Sequence, residues 1–225
     1  MASQIINKQF WSNYSRLYDK FYPKFQNDLL KYISKFAHGK VADFGTGTGK
    51  LYKHLDLNTE ITSITGYDSN EQMLNLAKKK FKIYFKNIQK NIQNIQINEL
   101  EKKSIKEKFD TIFIINVLYA NENPIKILIE LDKLLNKHGT LVIVDMKREV
   151  DLAKLFNQIK LEYKNDEDVQ TYYENNQLLS KDSIPRTFSL EELESITHSI
   201  DNFKTIKKRD DFFLENVNCL ILEKQ

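Results

Sequence analysis

Short, almost unbroken apolar runs alternate along the chain with longer stretches in which apolar residues recur at steps of three and four. Phe109-Asp110-Thr111-Ile112-Phe113-Ile114-Ile115-Asn116 and Thr140-Leu141-Val142-Ile143-Val144-Asp145 are nearly continuous, as strands covered by helices on both faces are. Val41-Ala42-Asp43-Phe44 ends another such strand, and Ile61-Thr62-Ser63-Ile64-Thr65-Gly66-Tyr67-Asp68 forms a further one. Ile92-Gln93-Asn94-Ile95-Gln96-Ile97 predicts a third strand in chain order, built from poor strand formers and ending at Asn98 and Glu99. Helical spacing intervenes over residues 51–57 and again between residues 70 and 87, where Met73, Ala77, Phe81 and Tyr84 share a face. Pro124 opens a helix with Ile125, Leu128, Ile129, Leu131 and Leu135 toward the sheet, closed by His138-Gly139. Ser189-Leu190-Glu191-Glu192 is a capping box for a helix through Ile196, with strands to follow at 203–207 and 218–222. Alternation of this kind predicts a parallel, doubly wound α/β sheet whose ligand crevice lies at the carboxyl ends of the strands.

The chemistry concentrates where the first strand ends. Asp43-Phe44-Gly45-Thr46-Gly47-Thr48-Gly49 places one carboxylate at a strand end and then three glycines spaced two apart, ahead of a helix. Glycine lets a chain turn tightly and lets its backbone approach a ligand closely, so the segment reads as a cofactor turn. A phosphate loop needs Gly-Lys-Ser/Thr, but Lys50 follows Gly49 and precedes Leu51. A dinucleotide fingerprint needs its third glycine three after the second, where Lys50 stands, which disfavours a nicotinamide oxidoreductase. Asp68 closes the next strand 19 residues beyond Gly49 (68 − 49), where a carboxylate can accept both hydroxyls of a ribose diol. The simpler role for Asp68 is to cap the helix beginning near Asn70, and for Asp43 to anchor the turn.

The spacing Asp-x-Gly-x-Gly-x-Gly resembles motif I of the class I S-adenosylmethionine (SAM) dependent methyltransferases. The order from Asp43 through Asp68, Phe109-Asp110, Asn116 and His138-Gly139-Thr140 to Asp145 is similar to their small-molecule branch, over roughly residues 40–145. The resemblance implies a Rossmann-like, seven-stranded, mostly parallel sheet with an antiparallel closing strand and a helical cap, all in one domain spanning residues 1–225. It implies SAM as cofactor, with Asp43, Gly45, Thr46, Gly47, Gly49, Asp68, Ser69, Met73, Asn98, Glu99 and Asn116 around it. Asn98 faces adenine in that reading and is a plain loop residue otherwise. Many relatives carry a histidine after the fourth strand, and Asn116-Val117-Leu118-Tyr119 has none, which leaves Asn116 and Tyr119 to contact cofactor or acceptor. A nucleic-acid base methyltransferase is expected to show Asp/Asn-Pro-Pro-Tyr there, and the prolines are absent. A methyltransferase-like subunit that serves a partner protein is the non-enzymatic alternative.

Residues 1–31 and 146–187 fall outside the core pattern and are expected to form a cap over the strand ends. The first holds Phe10, Trp11, Tyr14, Leu17, Tyr18, Phe21 and Tyr22, and its Tyr14-Ser15-Arg16-Leu17-Tyr18-Asp19 is similar to a stretch ahead of motif I in quinone and amine methyltransferases. The second has helical periodicity at Leu152, Leu155, Phe156, Ile159 and Tyr163, then Tyr172-Tyr173. Most of these aromatics simply bury the cap. Tyr14 and Tyr18 share a face and are expected to orient an acceptor by hydroxyl or by ring face. The expected substrate is a small aromatic, phenolic or amine-bearing molecule.

Composition narrows this little further. A chain of 225 residues with 41% hydrophobic content supports one good core. A net charge of +3 from 34 basic and 31 acidic residues describes a mixed surface, so no nucleic-acid partner is expected. No apolar run reaches the length of a membrane span and no signal peptide is evident, which points to the cytoplasm. Cys219, the single cysteine, alternates with Val217 and Ile221 in the last strand, reads as buried filler, and precludes an internal disulfide or a cysteine-rich metal site.

Overall fold

The apolar runs pair into one seven-stranded sheet. In the computed structural model, which describes residues 8–56, 58–85, 89–94, 105–148, 150–183, 187–201 and 203–225, the strands are β1 (Gly39–Phe44), β2 (Ile61–Asp68), β3 (Gln89–Asn94), β4 (Phe109–Ile115), β5 (Leu135–Met146), β6 (Phe203–Arg209) and β7 (Val217–Lys224). Their spatial order is β3-β2-β1-β4-β5-β7-β6. β1 lies parallel between β2 and β4, whereas β7 runs antiparallel to both β5 and β6. The chain winds outward from β1 to β3, then returns beside β1 and winds the other way. Strand order therefore reverses between β1 and β4, and open α/β sheets hold their ligands at the carboxyl ends of strands at such a point.

Neighbouring residues in the central strands face opposite sides of the sheet, and both sides are buried. Ile112, Ile114, Leu141 and Ile143 meet α5 (Pro124–Leu134) and α8 (Leu190–Ile200), through Leu128, Leu131 and Leu193. Phe113, Val142 and Val144 belong to the cluster on the other face, with α2 (Lys24–Ile33), α3 (Tyr52–Leu55) and α4 (Glu71–Tyr84), through Ile33, Tyr52 and Phe81. Period-two alternation between two apolar faces is why the strands read as unbroken apolar runs. Each such side chain contributes about 1.5–3 kcal/mol on burial.

A third cluster builds the cap. Tyr14 of α1 (Lys8–Lys20) and Phe21 just after that helix pack with Ile159 of α6 (Leu152–Glu162) and with Val169 and Tyr172 of α7 (Val169–Ser183). Polar ties join the two cap segments. Lys20 reaches Asp166 and Asp168 at 2.6 Å each, and the backbone N–H of Tyr22 donates to the Tyr163 hydroxyl at 2.9 Å. Among the described residues, no helix is long and apolar enough to cross a membrane.

Four local expectations are corrected. The third strand begins at Gln89, three residues before Ile92, because Ile92 is the one apolar residue of Gln89–Asn94 and pairing with β2 decides the register; residues 95–97 of the expected strand lie outside the described residues. The helix after the glycine turn is the single turn Tyr52–Leu55. Ile125 and Ile129 are 46% and 38% exposed on the outer side of α5, whose buried stripe is Ile127, Leu128 and Leu131. His138-Gly139 does not end that helix but lies within β5: Phe109 pairs with Leu135 and Thr111 with Thr140, so residues 136–139 bulge out between two ladder contacts, with His138 at φ 61°. The capping box at Ser189 is present, with Glu192 and Ser189 bonded reciprocally. Cys219 is buried in β7.

Candidate active site

Polar side chains stand at the carboxyl ends of four adjacent strands: Asp68 on β2, Asp43 on β1, Asn116 just after β4 and Asp145 on β5. The turn after β1 has alternating left-handed residues, with φ of 75°, 53° and 72° at Gly45, Gly47 and Gly49. Only glycine takes that conformation without strain. The turn is held from below, since the N–H groups of Gly45 and Thr46 both donate to the Tyr67 carbonyl, at 2.8 and 2.9 Å. A Cβ added at Gly45 would collide with Val117, and one at Gly49 with the Tyr52 ring, whereas at Gly47 the nearest atoms are 3.9 Å away. Gly47 is therefore where the turn's backbone lies open.

Asp68 ties the turn to the next helix. Its Oδ2 accepts the Gly47 N–H at 2.8 Å and its Oδ1 accepts the Asn70 N–H at 2.9 Å. The helix cap itself is Asn70, whose side chain accepts from the backbone N–H groups of Gln72 and Met73. Each Asp68 oxygen keeps a lone pair for a ligand hydroxyl. Burial raises its pKa against the opposing N–H donors. Ser69 lies beside it, and Met73 is buried on α4. Asn98 and Glu99 lie outside the described residues.

Asp43 is 2% exposed, and its Oδ2 accepts the Thr46 hydroxyl at 2.7 Å, closing the turn from the inside. Thr46 also pairs with the Tyr52 hydroxyl. Desolvation pushes the Asp43 carboxyl up to about 7, opposed by Thr46 and reinforced by Asp68. Such a group binds more protons folded than unfolded between its ordinary value near 4 and about 7, so its stabilisation is full below that window and is lost as pH rises through it. Between pH 5 and 8 the unfolding free energy of the wild-type protein should fall by about 2–4 kcal/mol more than that of Asp43→Asn, which denaturant melts at the two pH values read. Parallel pH curves for the two proteins would remove this assignment.

Asn116 adopts φ 55°, its N–H donates to the Val144 carbonyl at 2.8 Å, and its buried Oδ1 has no partner among the described residues. Asp145 fixes the turn that follows: the Tyr119 N–H donates to its Oδ2 at 3.0 Å and the Met146 N–H to its Oδ1 at 2.9 Å. Desolvation raises the Asp145 carboxyl to about 7 as well. Tyr119 is 7% exposed, and burial followed by the Asp145 charge drives its hydroxyl far above the tyrosine range.

The cap closes this floor. The Tyr18 ring carbon nearest to Gly47 lies 3.9 Å from where a Cβ would stand. Tyr14 lies deeper, 2% exposed, packed on Tyr18 and Tyr172 with ring centroids 5.8 and 5.7 Å away, and its hydroxyl accepts from Asn176 Nδ2 at 2.7 Å. Tyr14→Phe leaves that amide short of an acceptor, so it should cost about 1 kcal/mol and lower the melting temperature by about 2–4 °C. A thermal melt reads this directly, and an unchanged melt would show the bond to be dispensable. Tyr14 thus stands in the cap core and Tyr18 against the turn, and Tyr119 lies within electrostatic reach of Tyr18 and Tyr172. The reading of the sequence missed Asn70, whose amide also donates to Ser12 of α1, and Lys50, which ties the turn to the cap. The signal for Lys50 was its place directly after Gly49.

A family model described as a methyltransferase domain matches residues 35–209. The chain is 31% identical over 131 residues to a mitochondrial methyltransferase, OMS1, of Saccharomyces cerevisiae, covering 52% of this chain and 28% of that protein. It is 38% identical over 114 residues to a tRNA U34 carboxymethyltransferase of Campylobacter concisus, covering 49% of this chain and 37% of that protein. It thus spans well under half the length of these two relatives. Among solved structures, the plantazolicin methyltransferase BpumL in complex with S-adenosylhomocysteine (SAH) superimposes with a TM-score of 0.64 at 18% identity, covering 99% of this chain and 91% of that one.

Proposed function

The chain belongs to the class I SAM-dependent methyltransferases, and on that premise we propose that its acceptor is a small aromatic, phenolic or amine-bearing molecule held between the strand ends and the tyrosines of the cap. The residues present fit the cofactor. An open glycine backbone at Gly47, a carboxylate at Asp68 with capacity for a diol, and a buried Asn116 oxygen unpartnered among the described residues suit an adenosine-bearing cation. The observation that carries the reading is the bond from the Gly47 N–H to Asp68, which sets the glycine turn and the ribose acid in one rigid unit.

In this reading Asp68 receives the ribose, the backbone at 45–49 carries the amino-acid end, Asp43 braces the turn, and Ser69 and Met73 line the nucleoside side. Bound SAM supplies a methyl group on a sulfonium whose positive charge is lost as the acceptor attacks. The protein then has to align the acceptor and exclude water, two established sources of rate. Tyr18 and Tyr119 orient the acceptor from opposite sides, with Asn116 between cofactor and acceptor. Tyr14 holds Tyr18 from behind. Ring faces and the buried carboxylates at Asp43, Asp68 and Asp145 disfavour an anionic acceptor and stabilise the positive charge that a neutral amine takes on as it is methylated. A neutral amine needs no strong base, which agrees with the lack of a histidine after β4.

Transfer of label from methyl-labelled SAM to a panel of phenols, aromatic amines and aliphatic amines tests this. Incorporation into amines or phenols is the expected result. The likeness to a tRNA carboxymethyltransferase gives the panel its contrast: label entering only tRNA would overturn the small-molecule reading.

A further inference from the structure

Lys50 is a lysine 9% exposed, directly after Gly49, with no carboxylate partner among the described residues. Its Nζ donates to the Phe21 carbonyl at 2.7 Å and to Gln26 Oε1 at 3.0 Å, and it lies 4.0 Å from the Tyr18 ring centroid and 5.6 Å from that of Tyr22. Every one of these partners belongs to the elbow between α1 and α2. Gln26 and Tyr18 thus meet on the same Lys50 Nζ, one through its amide oxygen and the other through its ring face, and that ring lies against Gly47. A buried ammonium with only neutral partners is costly and is retained where its geometry serves something. The nearest charges are already matched, since Lys80 of α4 pairs with Asp19 of α1. The side chain thus runs from the cofactor turn into the cap and ends there.

We infer that Lys50 is a positioning residue through which the glycine turn sets the place of the aromatic cap, so that cofactor binding at the turn is transmitted to the acceptor side through Lys50, Gln26 and Tyr18. This rests on the reading of the turn as the SAM site. Burial holds the Lys50 amine well below the usual lysine range, in keeping with a group chosen for position. Lys50→Met keeps the length and loses the donors and the charge. Removal of a buried charge in favour of an apolar isostere is often neutral for stability. Trp11, the chain's single tryptophan, sits on α1 against Phe10 and Tyr14 and reports on the cap.

The experiment titrates SAH into wild type, Lys50→Met and Gln26→Leu, following binding heat and Trp11 emission together. In wild type the emission shift should track the heat. In both variants SAH should bind within about fivefold of wild type, while the emission shift falls to less than a third. Gln26→Leu decides alone if Lys50→Met does not fold. A full emission shift in the variants overturns the inference, as does an unresponsive Trp11 in wild type. So does a loss of SAH affinity beyond tenfold in both, because Lys50 would then serve the cofactor itself. Absence of binding heat in wild type would instead contradict the SAM reading, and the inference with it.

Discussion

Gly49→Ala should abolish measurable SAH binding and lower the melting temperature by about 5–15 °C. Two costs add. A left-handed backbone, φ 72°, costs a non-glycine residue about 1–2 kcal/mol. The new Cβ would also stand 2.6 Å from two carbons of the Tyr52 ring and 3.2 Å from the Ala77 backbone. Tyr52 cannot retreat: it is fully buried, stacked on Phe81 with centroids 4.1 Å apart, and bonded through its hydroxyl to Thr46. Overpacking of this sort adds about 1–3 kcal/mol. Because Tyr52 holds Thr46, and Thr46 holds Asp43, the strain passes into the turn. Gly47→Ala is the control. Its φ of 53° carries the same left-handed cost of about 1–2 kcal/mol, but its Cβ meets only ordinary contacts at 3.9 Å, so the melting temperature should fall by about 2–8 °C, less than for Gly49→Ala, while SAH affinity falls. Equal effects of the two substitutions on stability would refute this division between a supporting and a ligand-facing glycine.

Asp68→Ala should weaken SAM and SAH at least tenfold, about 1.4 kcal/mol, with the fold retained. The carboxylate loses its proposed ribose contact and also releases the Gly47 and Asn70 N–H groups it now accepts, so the loss exceeds that of one exposed hydrogen bond. Helix α4 keeps its cap, because Asn70 supplies that function independently. Asp68→Asn should fall between, retaining one acceptor oxygen without the charge. Calorimetric titration gives the three constants, and an unchanged Kd for Asp68→Ala would remove the ribose assignment.

What the sequence disclosed follows from where physical constraint is strongest. β1, β4 and β5 were legible because both their faces are buried, and the glycine turn because three left-handed positions leave little choice of residue. The start of β3 was placed three residues late because Gln89, Lys90 and Asn91 are polar and take their register from β2. The bulge at 136–139 was hidden because His138-Gly139 carries the same signature as a helix end. At the site, Asp43, Asp68 and the glycines could be named from spacing alone. Their division of labour could not, since Asp68 bonds Gly47 across 21 residues and only the folded chain brings them together. Lys50 and Asn70 were silent for the same reason: their partners lie on α1 and α2. Tyr14 and Tyr18 share a helix face in the sequence, but packing against Tyr172 sends one into the cap core and leaves the other over the turn.

A crystal structure of the chain with SAH bound tests the central claim most directly. Both ribose hydroxyls should lie about 3 Å from the Asp68 carboxylate, with the amino-acid end on the backbone of residues 45–49 and the sulfur facing Tyr18 and Tyr119. SAH bound away from the glycine turn, or a ribose without contact to Asp68, would contradict it.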